Sequence, residues 1–328
     1  MRICLIFGLT VLLTLAILPD PAPAVAPAPA PAPVDYRDTA RAMLAAGAPY
    51  ANWIRAGRRF LSFDAHGDGT AVEVLGDLST ADRMAVLVPG VDTTLADFDR
   101  GLGGVARRAP AVQARAISTQ VHADDPSARV AVVAWLGYQP PHGIGLDAIR
   151  EARARTGASA LIRFVRAVLA QRPGIDVTLI GHSYGAIVVG LAAPHLPEVH
   201  DLIALGGVGM GAGRASDLGG ARVWSALAPD DWIRRVPQLR VLGLGHGQRP
   251  SSARFGATPL PTAGVAGHDY YLVPGSATLA SVAEIVLGRP AATATLSAKA
   301  FATEATHAAA TAAAAAAEGT GASVAAAR

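Results

Sequence analysis

From about residue 70 to residue 289 the chain alternates short, nearly unbroken apolar runs with longer stretches whose apolar residues recur every three or four positions. The runs "AVEVLGDL", "RMAVLVPG", "ARVAVVAWLG", "DVTLIG", "DLIALGG", "RVWSALA" and "LRVLGLG" predict strands. The third has no polar face at all, as a central strand covered on both sides requires. Between them, a helical region is predicted from about Leu95, and another begins at Ala186. In "GLDAIREARARTGASALIRFVRAVLAQR", Ile149, Leu161, Phe164, Val165 and Leu169 fall at helical spacings, and "SATLASVAEIVLG" closes the series as a last helix. Upstream, "TARAMLAAGAPYANWIRAGRRFL" reads as helical turns leading into the first strand. Strand–helix alternation with continuously apolar strands predicts an α/β fold, a mainly parallel central sheet with helices on both faces.

The two ends follow other rules. "MRICLIFGLTVLLTLAIL" has one Arg and then an uncharged apolar run from Ile3 to Leu18, the order of a secretory signal peptide. Small residues follow, and cleavage after Ala24 is favoured because cleavage after Ala26 would leave Pro27 first. An uncleaved anchor is the alternative, although the apolar run is short for a membrane span of ~20 residues. The Pro/Ala alternation of residues 25–37 favours extended polyproline II, a semi-rigid spacer from membrane or cell wall. Residues 290–328 are Ala-rich and of low complexity, with little to pack a core. The folded domain is therefore expected at 38–289, in a protein secreted or held at the cell envelope through its N-terminal segment.

Composition narrows the function more than the fold. Hydrophobic residues are 51% and charged ones 16% of the chain, which excludes a disordered body. The net charge is only +3 and the arginines are scattered, so no nucleic-acid footprint is present. Cys4 is the only cysteine, leaving no thiol in the body for catalysis or metal ligation. Three short patterns mimic other chemistries. "GVGMGA" follows a strand as a dinucleotide loop would, but the glycine-broken segment after it leaves no room for the helix. "HLPEVH" has the wrong spacing for zinc and a helix-breaking Pro197, while "DAHGDG" has Leu75 where a calcium loop needs its bidentate acid. No metal or organic cofactor is expected.

The remaining constellation is that of a nucleophilic hydrolase. "VTLIGHSYGAIVVG" sets G-x-S-x-G between a predicted strand and a predicted helix. In that context the serine lies on a strained turn with its hydroxyl exposed above the sheet, and the next N–H, that of Tyr184, points at a developing oxyanion. A nucleophilic Ser183 needs a base, and the base an orienting acid. Downstream, "VWSALAPDDWI" offers Asp230 and Asp231 just past a predicted strand, with Asp217 a more distant option; either aspartate could instead cap the following turn. Two histidines compete for the base: His246 in "VLGLGHG" and His268 in "AGVAGHDYYLVPGS". His182, next to Ser183 on the tight turn, is expected to pack or to line the pocket. The second oxyanion donor is assigned to the Val91 N–H, after "VLVPG". "WLGYQPPHG" suits a substrate rim, or in the case of Trp135 the core.

With these residues in order the chain resembles an α/β-hydrolase, and in particular a bacterial family of α/β-hydrolase domains of unknown function. The matching segments are "DGTAVEVLGDL", "AVLVPGVDTTLADF", "VAVVAWLGYQPP", "LIGHSYG", "DDWI" and "GHDYYLVPGS", across roughly residues 60–288. Pro89-Gly90 stands where many lipases have His-Gly. The resemblance implies serine hydrolase chemistry. Its Asp-x-Ile turn selects Asp231 and its His-x-x-Tyr step selects His268. The expectation is an exported hydrolase of carboxylic esters, acting on a small or lipid-like ester through an acyl-enzyme. A peptidase or amidase with the same triad, and a non-catalytic envelope binding module, are the alternatives.

Overall fold

The computed structural model describes residues 35–238 and 245–289. Eight strands form one sheet: β1 (Arg59–Asp64), β2 (Thr70–Leu75), β3 (Arg83–Val88), β4 (Val130–Leu136), β5 (Asp176–His182), β6 (Val199–Leu205), β7 (Arg222–Ala226) and β8 (Thr258–Pro259). Their order across the sheet is β1-β2-β4-β3-β5-β6-β7-β8. β1, β2 and β4 pair antiparallel, and every pairing from β4 through β8 is parallel. All carboxyl ends from β3 to β8 therefore lie along one edge of the sheet, and the loops leaving that edge meet one another.

Seven α-helices accompany the sheet among the described residues: α1 (Arg37–Ala45), α2 (Tyr50–Arg55), α3 (Pro110–Asp124), α4 (Leu146–Ile149), α5 (Ala152–Gln171), α6 (Gly185–Ala192) and α7 (Ala277–Val286). Alternation at period two splits the central strands cleanly. Met84, Val86, Val133, Trp135 and Leu179 face a core closed by α5 and α6, while Ala85, Leu87, Val132, Leu136 and Ile180 face one closed by α1, α2, α3 and α7. Local chemistry sets the helix starts. Pro110 opens α3, where its missing N–H is no loss, and the Ser276 hydroxyl accepts the Leu279 N–H at 3.1 Å to cap α7.

The structure departs from the sequence reading in four places. Residues 59–61, read as the end of a helical entry, instead begin β1, which pairs with β2 across a bulge at Leu61 and buries both Phe60 and Leu61. The long helix expected from Gly145 is broken at Arg150–Glu151 into α4 and α5. The helical region from Leu95 opens as three short 3₁₀ turns before α3. Two-residue β8, the edge partner of β7, has no apolar run of its own to announce it. The strand expected at "LRVLGLG" lies, apart from Gly245, outside the described residues.

One polar cluster is built into the β2 side of the sheet. Glu73, in the middle of β2 and almost wholly buried, accepts two hydrogen bonds from Arg58 at 2.6 and 2.8 Å. Arg58 also lies over the Trp53 ring at 4.5 Å and against Asp99 at 3.0 Å. Removing one partner of a buried pair leaves the other charge uncompensated, which costs far more than the pair contributes. Glu73→Gln is therefore expected to lower the unfolding free energy by about 3 kcal/mol in urea titration; a change below about 1 kcal/mol would show that water or Asp99 already satisfies Arg58.

Candidate active site

The site grows out of the turn between β5 and α6. β5 ends at His182 and α6 begins at Gly185, so Ser183 and Tyr184 make the reversal alone. Ser183 has φ 56°, in the left-handed region, a strain of about 1–3 kcal/mol for a residue with a Cβ. Its N–H is held by the Leu205 carbonyl of β6 at 2.9 Å. The flanking glycines answer to contact: a Cβ on Gly181 would lie 2.5 Å from the Ala186 Cα, and one on Gly185 only 2.2 Å from the Val88 carbonyl oxygen. Larger residues at either position would push α6 off the ends of β3 and β5.

The loop after β3 closes on the same turn. A Cβ on Gly90 would come within 2.7 Å of the Ser183 Cβ, so the Pro89–Val91 backbone passes directly beside the serine. The buried Tyr138 hydroxyl donates to the Pro89 carbonyl at 2.7 Å and fixes that passage, with Trp135 stacked behind it. Asp92, at φ 60°, donates its N–H to the Pro141 carbonyl and accepts the Gly143 N–H on its carboxylate at 2.6 Å. Among the described residues, the N–H groups of Val91 and Tyr184 donate to no protein acceptor. Two unused backbone donors thus flank Ser183.

On the far side, the structure separates the two aspartates after β7. Asp230 is exposed, while the Asp231 side chain is fully buried. Both oxygens of Asp231 lie against His268 Nδ1, at 2.9 and 3.0 Å. Oδ1 also accepts the Ile233 N–H at 2.8 Å, so Asp231 caps the turn Trp232–Arg235 as well as holding the imidazole. Oδ2 accepts a short hydrogen bond from the Tyr271 hydroxyl, which itself accepts the Ala228 N–H at 3.1 Å. Burial pushes the Asp231 pKa up, but the hydrogen bond and charge of His268, then Tyr271 and Ile233, outweigh it and hold the carboxyl below its usual range. Burial, with the Asp231 charge beside it, raises the Tyr271 phenol well above its ordinary value, so that it stays a donor.

His268 is joined to the elbow through its neighbours. The His182 ring packs against the His268 ring with centroids 4.8 Å apart, and His182 Nε2 lies 2.8 Å from the His268 carbonyl oxygen. Trp232 covers the imidazole from another side at 5.1 Å. Gly206, at φ 56° just beyond β6, leaves the space they need: a Cβ there would sit 2.8 Å from Asp231 Oδ2 and 2.9 Å from His268 Nδ1. The hydrogen bonds of His268 go to Asp231 and His182, and none runs directly to the Ser183 hydroxyl. With Nδ1 occupied by the carboxylate, Nε2 is the ring nitrogen left for proton transfer.

The competing residues fall elsewhere. His246 stands edge-on to the Tyr184 ring at 5.8 Å and lines the cavity beside Ser183, while the Asp231 carboxylate takes His268 as its imidazole partner. Asp217 belongs to a separate turn, 3.3 Å from Arg214. Among the described residues no group of three or more potential ligands is arranged to hold a metal ion. A cavity of about 470 Å³ opens beside Ser183, walled by Val91, Ile144, Ile149, Val208, Trp232 and Val236 among others. Sequence reading noted Tyr271 only as a spacing mark and missed its bond to Asp231. It also missed the cavity walls, whose apolar residues carry no signature apart from the core. The Tyr184 side chain was missed too: its hydroxyl donates to the Arg150 carbonyl at 3.0 Å and accepts the Ala154 N–H, pinning the α4–α5 break.

Comparison with known proteins places this geometry in context. A family profile described as Alpha/beta hydrolase matches residues 64–241. An uncharacterised protein of Mycobacterium tuberculosis is 29% identical over 200 residues, covering 58% of this chain and 74% of the relative. Another from the same organism is 30% identical over 258 residues, and this chain spans only 37% of its length. Among solved structures, an a/b serine hydrolase without lid from Xanthomonas campestris aligns over 71% of this chain and 94% of its own, at 17% identity and a TM-score of 0.38. Trichoderma reesei cutinase aligns over 64% and 76% at 14% identity and a TM-score of 0.37.

The half-buried His182 gives the site a pH signature. Burial, reinforced by the neighbouring His268, brings its pKa down to about 4 against the opposing pull of the His268 carbonyl, Asp269 and Asp231. The unfolded chain takes up a proton near 6.5 and so binds more protons than the folded one between that pH and about 4. Stability is fully present above this window and is lost as pH falls through it, by about 3 kcal/mol at most. His182→Gln, which keeps a donor toward the His268 carbonyl, is expected to flatten that slope in urea titrations from pH 4 to 7. Equal slopes in the two proteins would show that His182 is not held neutral.

Proposed function

Since the chain belongs to the alpha/beta hydrolase family and is a hydrolase, we propose that it is a serine esterase, with Ser183 as nucleophile, His268 as general base and acid, and Asp231 as the orienting carboxylate. The observation that carries this reading is the buried Asp231–His268 pair packed, through His182, against the strained residue Ser183. A carboxylate on Nδ1 selects the tautomer whose Nε2 accepts a proton, and it stabilises the imidazolium that results. Ser183 Oγ attacks the acyl carbon as its proton passes to Nε2. The carbonyl oxygen becomes an oxyanion met by the N–H groups of Val91 and Tyr184, where removal of one such donor costs about 10²–10³ in rate. As the intermediate collapses, the bond to the alcohol oxygen breaks and that oxygen takes the proton from His268. Water then repeats the sequence on the acyl-enzyme and releases the acid.

The strain at Ser183 supports the same reading, because a serine between glycines serving only as a linker has no need of a left-handed backbone. The apolar run after Arg2 supports export to the envelope, with the Pro/Ala stretch as a spacer. A fluorophosphonate probe is expected to label the wild-type protein, and Ser183→Ala to abolish both labelling and ester hydrolysis. Asp231→Asn is expected to lower kcat by about 10³–10⁴ while the protein remains folded by circular dichroism. Labelling that persists in the Ser183→Ala protein would overturn the assignment.

A further inference from the structure

We infer that the cavity beside Ser183 is an acyl-chain site, and that the preferred substrate is an ester of an uncharged, medium-chain fatty acid with an alcohol held outside the cavity. This rests on the reading of Ser183 as nucleophile and adds to it which part of the ester is recognised and by what. None of the described residues lining the cavity is acidic, lysine or arginine. Much of the apolar wall comes from two segments, Ile144, Ala148 and Ile149 in one and Trp232, Val236 and Pro237 in the other, with Val91 and Val208 beside them, and the Gly245 N–H bonds the Ile149 carbonyl at 3.0 Å. The Tyr184 hydroxyl is committed to Arg150 and Ala154, with its pKa raised to about 12 chiefly by burial, so it offers a substrate no charge.

The side of the ester follows from proton traffic. Ser183 and the residues bearing both candidate oxyanion donors, Val91 and Tyr184, line the cavity, but His268 does not. A leaving alcohol must receive its proton from His268, so the group inside the cavity is the one that stays on Ser183 after the first step. That group is the acyl chain.

Its size follows from volume. A dry cavity of roughly 150 Å³ accepts a benzene ring. The 470 Å³ here is about three times that, and because the cavity is about half open to solvent, the enclosed part leaves room for a flexible chain of roughly eight to twelve carbons. The mouth matches the interior. Six large apolar side chains are exposed among the described residues, and Ile144 (71% exposed), Leu146 (63%), Ile149 and Trp232 belong to the two wall segments. An apolar chain therefore meets apolar surface before it reaches Ser183.

Two ester series on the purified full-length protein test this. In one, p-nitrophenyl esters carry acyl groups from acetyl to palmitoyl; in the other, acetate esters carry alcohols of the same lengths. All are kept below the concentration at which they aggregate. The expected result is a rise in kcat/KM of roughly fourfold per acyl methylene up to about eight to twelve carbons, with less than threefold variation along the alcohol series. The opposite dependence, or flat behaviour in both, overturns the inference, as does acceleration that appears only above the aggregation point. Ala148→Phe, which puts a ring into the cavity, is expected to lower the decanoyl-to-acetyl ratio at least tenfold; the wild-type series decides the matter if that variant does not fold. Fluorophosphonate labelling of Ser183, read in parallel, separates the two readings: labelling without chain preference rejects only the acyl site, and absence of labelling rejects the nucleophile.

Discussion

A carboxylate buried without solvent has to be surrounded by donors, and Asp231 is the place where this protein meets that demand. The cost of stripping water from an ionised group is several kcal/mol, and it is offset only when the lone pairs are all used. His268 Nδ1, the Tyr271 hydroxyl and the Ile233 N–H supply the partners, from the loop before α7 and from the turn that Asp231 itself caps. The loops after β7 and before α7 are thereby drawn to one point, and the imidazole is held in one tautomer. The segment from β8 to α7 has almost no regular structure, and this acceptor, together with bonds such as Leu260 N–H to the Ser225 carbonyl and Arg108 to Asp269, holds it in place.

The parallel sheet provides the other half of the geometry. Because β3, β5, β6 and β7 run in the same direction, their carboxyl ends present Gly90, Ser183, Gly206 and Asp231 along one edge. Close packing there is a matter of removed side chains: Gly90, Gly185 and Gly206 each stand where a Cβ would strike the serine, the β3 backbone or the Asp231–His268 pair. Backbone strain at Ser183 is tolerated because its N–H is tied to β6 and α6 is locked against β3. Turns leaving the strand ends carry the reacting groups, while much of the apolar cavity wall comes from the connections between β4 and α5 and after β7.

Much of this was legible along the chain. The unbroken apolar runs identified β3 to β7, since a strand covered on both faces has no polar alternation to confuse it, and the G-x-S-x-G turn marked its own strand and helix. β1 and β8 were not legible. A two-residue edge strand has no periodicity, and β1 follows directly on helical residues whose composition resembles its own. The break between α4 and α5 was hidden for a different reason: it is pinned by the Tyr184 hydroxyl, which arrives from the turn between β5 and α6 to bond Arg150 and Ala154. No local preference encodes it.

The sequence by itself determined the α/β alternation, the strained serine between glycines and the order in which serine, acids and histidines follow one another. Each of these depends on residues within a few positions of each other, where propensity and hydrophobic period act directly. Only the tertiary structure decided which aspartate faces which histidine, 37 residues apart, and that Tyr271 joins them. It likewise decided that Ile149 and Trp232 share a cavity, and that His246 lines it together with Ser183. Those relations depend on where loops leave the sheet and on the hydrogen bonds a buried charge requires, and both come into being only when the strands are paired.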